Sequence, residues 1–276
     1  TNMSNLFLNK TTFNNNINNW DTSSVTTMSG MFEGATSFNQ TLNSWNISAV
    51  TTMENMFNGA TSFNGNISDW TVSSVTNMSG MFQNASAFKI NINTWKPYNV
   101  TNMSNMFNGA SAFDQPITNW STLNVSNMSG MFQNAILFDQ YIRVWNTNNV
   151  SDYTNMFMGA TKMILNYNGI SGFGSSLNNY TPTSAFFNQS SILNDSNIVS
   201  VVDSWFFDSS QAIFTVPTNA PHYGPIQNWH VSQVTNMSEL FKNRINFNEN
   251  LSLWDTSNVT NMRGMFYGAA SFNQNI

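Results

Sequence analysis

The stretch Trp20–Gln40, WDTSSVTTMSGMFEGATSFNQ, returns every 25 residues and decides the architecture. Trp20, Trp45, Trp70, Trp95, Trp120 and Trp145 are evenly spaced, and Trp229 and Trp254 restart the spacing. From each Trp the pattern runs through Val, Met, Phe, Ala, Phe and Ile or Leu to the next Trp, as in Val25, Met28, Phe32, Ala35, Phe38, Leu42 and Trp45. A fixed period of this length predicts a repeat solenoid. One unit cannot fold alone, because the few apolar side chains it buries do not offset the entropy of ordering its backbone. Its stability has to come from neighbours.

Within the unit, Val25, Met28, Met31, Phe32 and Ala35 have helical spacing and predict one face of a short helix. Ser23, Ser48, Ser73, Ser232 and Ser257, with Asn99, Asn124, Asn149 and Asn258 one place later, are capping types. The residue two after the helical Phe is Gly or Asn in every repeat: Asn9, Gly34, Gly59, Asn84, Gly109, Asn134, Gly159, Asn243 and Gly268. These types enter the left-handed conformation cheaply and predict a helix stop. Gly30, Gly80, Gly130 and Gly264 fall inside the helix and weaken it, so it should form only when packed, and partly as 3₁₀. The extended piece from Asn39 to Trp45 predicts a short strand, paired in parallel with its neighbours. The Asn or Asp after the second Phe (Asn14, Asn39, Asn64, Asp114, Asp139, Asn248, Asn273) predicts a ladder that closes backbone groups, interrupted once by Lys89. The expected class is therefore an α/β repeat solenoid, with one short parallel strand and one short helix per repeat, in two blocks.

Residues 1–170 form the first block: a partial coil, six Trp-anchored coils, and MILNYNGI (163–170) as a closing strand. Residues 171–184, SGFGSSLNNYTPTS, read as a linker. Residues 185–224 lack the repeat. Ile198, Val201, Val202, Trp205 and Phe206 have helical spacing after the capping cluster Asn194–Ser196, which predicts a helical N-terminal cap for a second block at 225–276. The chain opens and ends inside a repeat, so it is expected to be a piece of a longer protein. A second period runs through the first block, where one position alternates Asn5, Gly30, Asn55, Gly80, Asn105, Gly130, Asn155. Either a two-coil unit was duplicated, or alternate coils meet a partner differently.

The consensus W-D-T-S-N-V-T-x-M-S-x-M-F-x-G-A-x-x-F-N-Q-x-I, best seen in Trp254–Ile276, resembles the repeat of BspA-like surface proteins, a 25-residue, DUF285-like unit grouped with the leucine-rich repeats. That repeat is found in mycoplasma, other bacterial, protist, algal and large-virus surface proteins. The resemblance covers roughly 1–170 and 181–276. It implies a leucine-rich-repeat-like right-handed solenoid in an extracellular, cell-surface or virion-surface setting, and it implies no activity.

The chain has 276 residues, a net charge of −5, 8% charged residues and no Cys. That excludes disulfide staples and thiolate metal sites, and the lack of basic clusters argues against nucleic acid. No apolar run approaches the length needed to span a bilayer. The acids are spread singly, His222 and His230 have no partner cluster, and neither a nucleophile arrangement nor a phosphate loop is present. The sequence thus predicts no catalytic residues, no metal and no cofactor. The expected interaction face is the row flanking the strand Ile: Asn16 and Asn18, Thr41 and Asn43, Asn66 and Ser68, Asn91 and Asn93, Pro116 and Thr118, Tyr141 and Arg143. This polar, uncharged row suits hydrogen bonding to protein or carbohydrate, and Tyr141 and Arg143 are types enriched at hot spots. Asn46, Asn66, Asn119, Asn179, Asn188 and Asn250 begin candidate glycosylation sequons. The expected role is a non-enzymatic, surface-displayed scaffold for adhesion or recognition. The alternative is a structural subunit of an extracellular fibre or viral surface appendage, with copies of itself as partners.

Overall fold

A computed structural model describes residues 1–187, 193–209, 226, 229 and 231–276. The chain divides into two compact units, Thr1–Gln189 and Ser190–Ile276. In the first unit successive 25-residue coils lie side by side in register. Parallel bridges join Asn2, Thr27, Thr52, Asn77, Asn102, Asn127 and Asp152, each to the next. In the second unit the same bridge joins Asn236 to Asn261.

The segment expected to be a helix is a run of reverse turns. Within one coil, the N–H groups of Met31, Glu33 and Ala35 donate to the carbonyls three residues back, on Met28, Gly30 and Phe32. The alternate groups do not bond within the coil. Met28, Gly30, Phe32 and Gly34 donate to Thr52, Glu54, Met56 and Asn58 of the next coil at 3.1, 2.8, 2.8 and 2.7 Å. This division requires positive φ twice per coil, at Gly30 (61°) and Gly34 (69°), in the third position of a turn, where a type II turn demands it. Helical φ at those positions would turn the donors back into the coil. Reverse turns return the chain to one side every three to four residues, as a helix does, so Met28, Met31, Phe32 and Ala35 still face inward and are fully buried.

The left-handed stop position is as expected: φ is positive at all nine Gly or Asn residues. The mid-repeat position is also left-handed, and packing between coils explains why a Gly follows each Asn there. A Cβ on Gly30 would lie 2.2 Å from Asn5 Oδ1, one on Gly80 2.0 Å from Asn55 Oδ1, and one on Gly130 2.2 Å from Asn105 Oδ1. The carboxamide of each Asn occupies the space that a side chain on the following coil would need.

The extended piece from Asn39 to Trp45, expected as a strand, carries a backbone bond between coils, Leu42 N–H to the Asn66 carbonyl at 3.0 Å, but none of the parallel bridges. Parallel pairing instead falls two residues after each Val, one bridge per coil. The Asn/Asp ladder does form. Asn39 N–H donates to Asn14 Oδ1 at 2.9 Å, Asn64 to Asn39 at 2.8 Å, Lys89 to Asn64 at 3.0 Å and Asp139 to Asp114 at 2.9 Å. Lys89 has no side-chain acceptor to pass on. The indole N–H groups of Trp45, Trp70, Trp95, Trp120, Trp145 and Trp254 reach back one coil, as Trp45 does to the Ile17 carbonyl at 3.0 Å and Trp70 to Leu42 at 2.9 Å. Between coils, Phe32 stacks on Phe57 at 5.3 Å, Phe38 on Phe63 at 5.9 Å and Trp45 on Trp70 at 6.5 Å, so three aromatic columns form the core.

Helix α1 (Thr161–Tyr167) stands where a closing strand was expected. It satisfies its own backbone, with Ile164 N–H donating to Ala160 and Asn168 N–H to Ile164. The expected linker at 171–184, with Ala185 to Phe187, packs on the first unit and closes its end. Phe173 stacks on Phe157 at 5.0 Å, Phe186 meets the same ring edge-on at 5.8 Å, and Phe187 stacks on Tyr153 at 5.5 Å. Donors that would reach a further coil find this segment instead: Asn155 N–H bonds the Thr181 hydroxyl at 2.8 Å and Phe157 N–H the Tyr180 carbonyl at 3.3 Å.

The second unit opens with α2 (Ile198–Ser209), within the span expected to be a helical cap; much of the rest of 185–224 lies outside the described residues. Ile198 and Val202 are buried, and Phe206 meets Phe247 edge-on at 5.7 Å. Arg244 lies 4.4 Å from the Phe206 ring and pairs with Asp203. Asp195 accepts the N–H groups of Thr235 and Asn236 at 2.8 and 2.9 Å, supplying the acceptor that a preceding coil would offer.

Gly80→Ala is expected to cost on the order of 2 kcal/mol in urea unfolding, from left-handed strain plus the contact with Asn55. In an Asn55→Gly background the cost should fall, with a coupling of about 1 kcal/mol in a double-mutant cycle. Strictly additive costs would contradict the steric account of the alternation.

Candidate functional site

The expected interaction row is split by burial. Asn16, Thr41, Asn43, Asn66 and Asn91 are exposed, and Asn18, Ser68 and Asn93 are half-buried. Their side chains tie the loops together. Asn16 Oδ1 accepts from Asn18 N–H, Asn66 Oδ1 from Ser68 N–H and Asn91 Oδ1 from Asn93 N–H, at 2.9, 3.0 and 2.9 Å. Between coils, Asn18 donates to the Ser44 hydroxyl at 3.0 Å and the Thr41 hydroxyl bonds Asn43 within its own coil at 2.9 Å. Hydroxyl and carboxamide groups thus repeat at coil spacing on a surface with little charge.

At the other end the row is covered. Thr118, Tyr141 and Arg143 are only 8%, 1% and 7% exposed. The Arg143 Nε–H donates to the Phe186 carbonyl at 3.1 Å, and its guanidinium lies 5.2 Å from the Phe186 ring. Thr118 donates its hydroxyl to the Tyr141 carbonyl at 2.9 Å. Tyr141 and Arg143 are therefore packing residues beneath the end segment, not exposed anchors. The row changes from Asn, Thr and Ser to Pro116, Tyr141 and Arg143 along the block, and that shift toward bulk was the available sign of a covered end.

Beside this end two acids of the Asn/Asp ladder gather with Gln140 and Asn166. Asp114 accepts from Asp139 N–H and from the Gln140 amide at 2.7 Å, and Asp139 accepts from Asn166 Nδ2 through both carboxylate oxygens at 2.7 Å. Burial raises both carboxyl groups. Asp139 is pushed up to about 6, with the Asp114 charge adding to the rise and the Asn166 bond and Lys162 charge opposing it. The two acids lie 25 residues apart in sequence, and only coil stacking brings them together. Among the described residues no three His, Cys, Asp or Glu side chains gather as a metal site, and no helix is long and apolar enough to cross a membrane. His222 and His230 lie outside the described residues.

The sequon residues Asn46, Asn66, Asn119, Asn179 and Asn250 are exposed; Asn188 lies outside the described residues. Asn46 Oδ1 is engaged by Ser48 N–H at 3.0 Å and Asn250 Oδ1 by Ser252 N–H at 2.9 Å, while Asn179 has left-handed φ of 53°.

Residues 1–95, 84–200 and 202–276 match the family described as "Mycoplasma protein of unknown function, DUF285". The chain belongs to this family. Its repeats are DUF285 repeats throughout, on both sides of the break in register. Neither the curated proteins nor the solved structures hold a match to the chain.

A carboxyl whose folded pKa is raised binds its proton more tightly when folded, so its contribution to stability falls as pH climbs from the usual 3.8 to about 6 and is flat above. Asp139→Asn keeps an acceptor for Asn166 and removes the charge. It is expected to raise stability by about 1–2 kcal/mol at about pH 7.5, with the gain vanishing near about pH 3.5. Paired thermal melts at the two pH values check this.

Proposed function

We propose that the chain is a non-enzymatic, surface-displayed solenoid of BspA-like, leucine-rich-repeat type that mediates adhesion or recognition. The observation that carries this reading is the uncovered part of the polar row. Eight of its residues, from Asn16 to Asn93, remain exposed or half-buried at coil spacing, with hydroxyl and amide groups and no charge. A rigid row of this kind presents many weak hydrogen-bonding groups at once, which suits an extended partner such as a glycan or a protein edge. The low charge of the whole chain favours short-range contacts over electrostatic steering. The BspA-like resemblance supports an extracellular, cell-surface or virion-surface setting. Copies of the same chain, as in a fibre, are the alternative partner.

A glycan array and a panel of extracellular proteins, probed with the intact chain, test this. Binding should fall by about tenfold or more in Thr41→Lys/Asn43→Lys, with the fold retained. Binding unchanged by these substitutions would move the site elsewhere, and ordered filaments of the native protein would favour the fibre role. Arg143→Ala is expected to cost about 1–3 kcal/mol of stability through its lost bond and ring contact. It should leave binding per folded molecule unchanged.

A further inference from the structure

Four Asn-Gly pairs occur in the chain: Asn58–Gly59, Asn64–Gly65, Asn108–Gly109 and Asn168–Gly169. This pair is chemically labile. The glycine amide nitrogen can attack the asparagine side-chain carbonyl carbon, forming a new C–N bond and expelling ammonia to leave a cyclic imide. Water then opens the imide at either carbonyl, giving aspartate or isoaspartate. No oxidant or cofactor is consumed. The step needs a free glycine N–H, a side chain able to swing onto it, and no bulk on the following residue.

The coil architecture denies these conditions to three of the pairs. Gly59 N–H is held by the Gln83 carbonyl and Gly109 N–H by Gln133, each at 2.7 Å in the inter-coil ladder. Their asparagine side chains are engaged too, Asn58 with Glu33 at 3.2 Å and Asn108 with Asn105 at 3.1 Å. Asn64 sits in the Asn/Asp ladder, its Oδ1 accepting from Lys89 N–H at 3.0 Å and its own N–H donating to Asn39 at 2.8 Å. Gly65 is buried, and its Cα faces the Gln40 carbonyl so closely that a Cβ there would lie 2.0 Å from the oxygen.

The fourth pair is different. Asn168 caps the C-terminal end of α1, and its backbone N–H is held by Ile164 at 3.0 Å. Among the described residues, neither its side chain nor the Gly169 N–H has a bond. Both residues are exposed, Gly169 has φ of 87°, and nothing lies within 4 Å of where its Cβ would be. We propose that Asn168 is a spontaneous modification site, at which the folded protein converts asparagine to aspartate and isoaspartate while its other Asn-Gly pairs stay intact. The product places a negative charge at the C-terminal end of α1, which the helix dipole disfavours. Isoaspartate also lengthens the backbone by one carbon next to Tyr167, the buried anchor of that helix. The end segment of the first unit is thus where the protein ages.

The test is peptide mapping by mass spectrometry of the intact chain after incubation at mildly alkaline pH, with isoaspartyl methyltransferase labelling to identify the product. A parallel sample is kept unfolded in urea. The expected result is conversion confined to the Asn168 peptide in the folded protein, at all four pairs in urea, and at none in folded Asn168→Gln. The aged wild type should melt at lower temperature than fresh protein, and aged Asn168→Gln should not. Conversion of Asn58, Asn64 or Asn108 at the pace of Asn168 in the folded chain would overturn the proposal. So would an Asn168 that stays unmodified when folded while the urea sample converts.

Discussion

The structure depends on how each coil divides its backbone N–H groups. A helix would spend them all within the coil and leave neighbouring coils joined only by side chains. Here alternate donors close turns and the others cross to the next coil, so the backbone itself joins the layers. This is possible only because two residues per coil take left-handed φ. Those positions accept Gly and Asn, with Glu239 as one departure at φ 60°. Wherever an Asn stands at one of these positions, the following coil carries Gly there. The aromatic columns then align because the backbone sets the offset, each ring meeting its counterpart at 5.3–6.5 Å in the central coils.

A stack held this way has a problem at each end, where donors and acceptors lose their partners. The two units solve it with different pieces. The first ends on α1 and the segment through Phe187, which supplies Thr181 and Tyr180 as acceptors and aromatic rings as cover. The second begins with α2 and with Asp195, whose carboxylate takes the Thr235 hydroxyl and two backbone donors, bonds that lower its pKa. End closure also decides which polar residues of the row stay exposed. Arg143 and Tyr141 serve the closure, and the exposed face is the Asn- and Thr-rich portion nearer the start of the chain.

Much of this was legible in the repeat. The inward set of Val, Met, Phe, Ala, Ile and Trp, the Asn/Asp ladder after the second Phe, and the left-handed residue after the first could all be read from composition at fixed positions. The local backbone could not. A chain of reverse turns and a helix bring the same residues to the same side, and only the second left-handed position tells them apart. Gly30 and Gly80 read as helix-weakening residues in the sequence; the contact that fits Gly there, with the Asn carboxamide of the preceding coil, becomes visible only when coils stack. The end segment at 171–187 was hidden for a related reason. Its Gly, Ser and Asn content reads as a linker, and Phe173, Phe186 and Phe187 lack the repeat spacing that marks core elsewhere. The ladder pairs Asp114 with Asp139, but their burial and the Asn166 partner of Asp139 depend on α1, which the sequence reads as a strand.

The most direct test of the inter-coil backbone ladder is native-state hydrogen exchange resolved to single amides. Gly30, Phe32, Asn55, Phe57, Gly80 and Phe82, whose N–H groups cross between coils, are expected to exchange together as the slowest class. Amides held only by side-chain turns, such as Ser48 and Ser68, should exchange far faster. Slow exchange running instead through consecutive residues from Met28 to Ala35, without the alternation between Gly30 or Phe32 and their neighbours, would indicate a helix in each coil and rule out the inter-coil ladder.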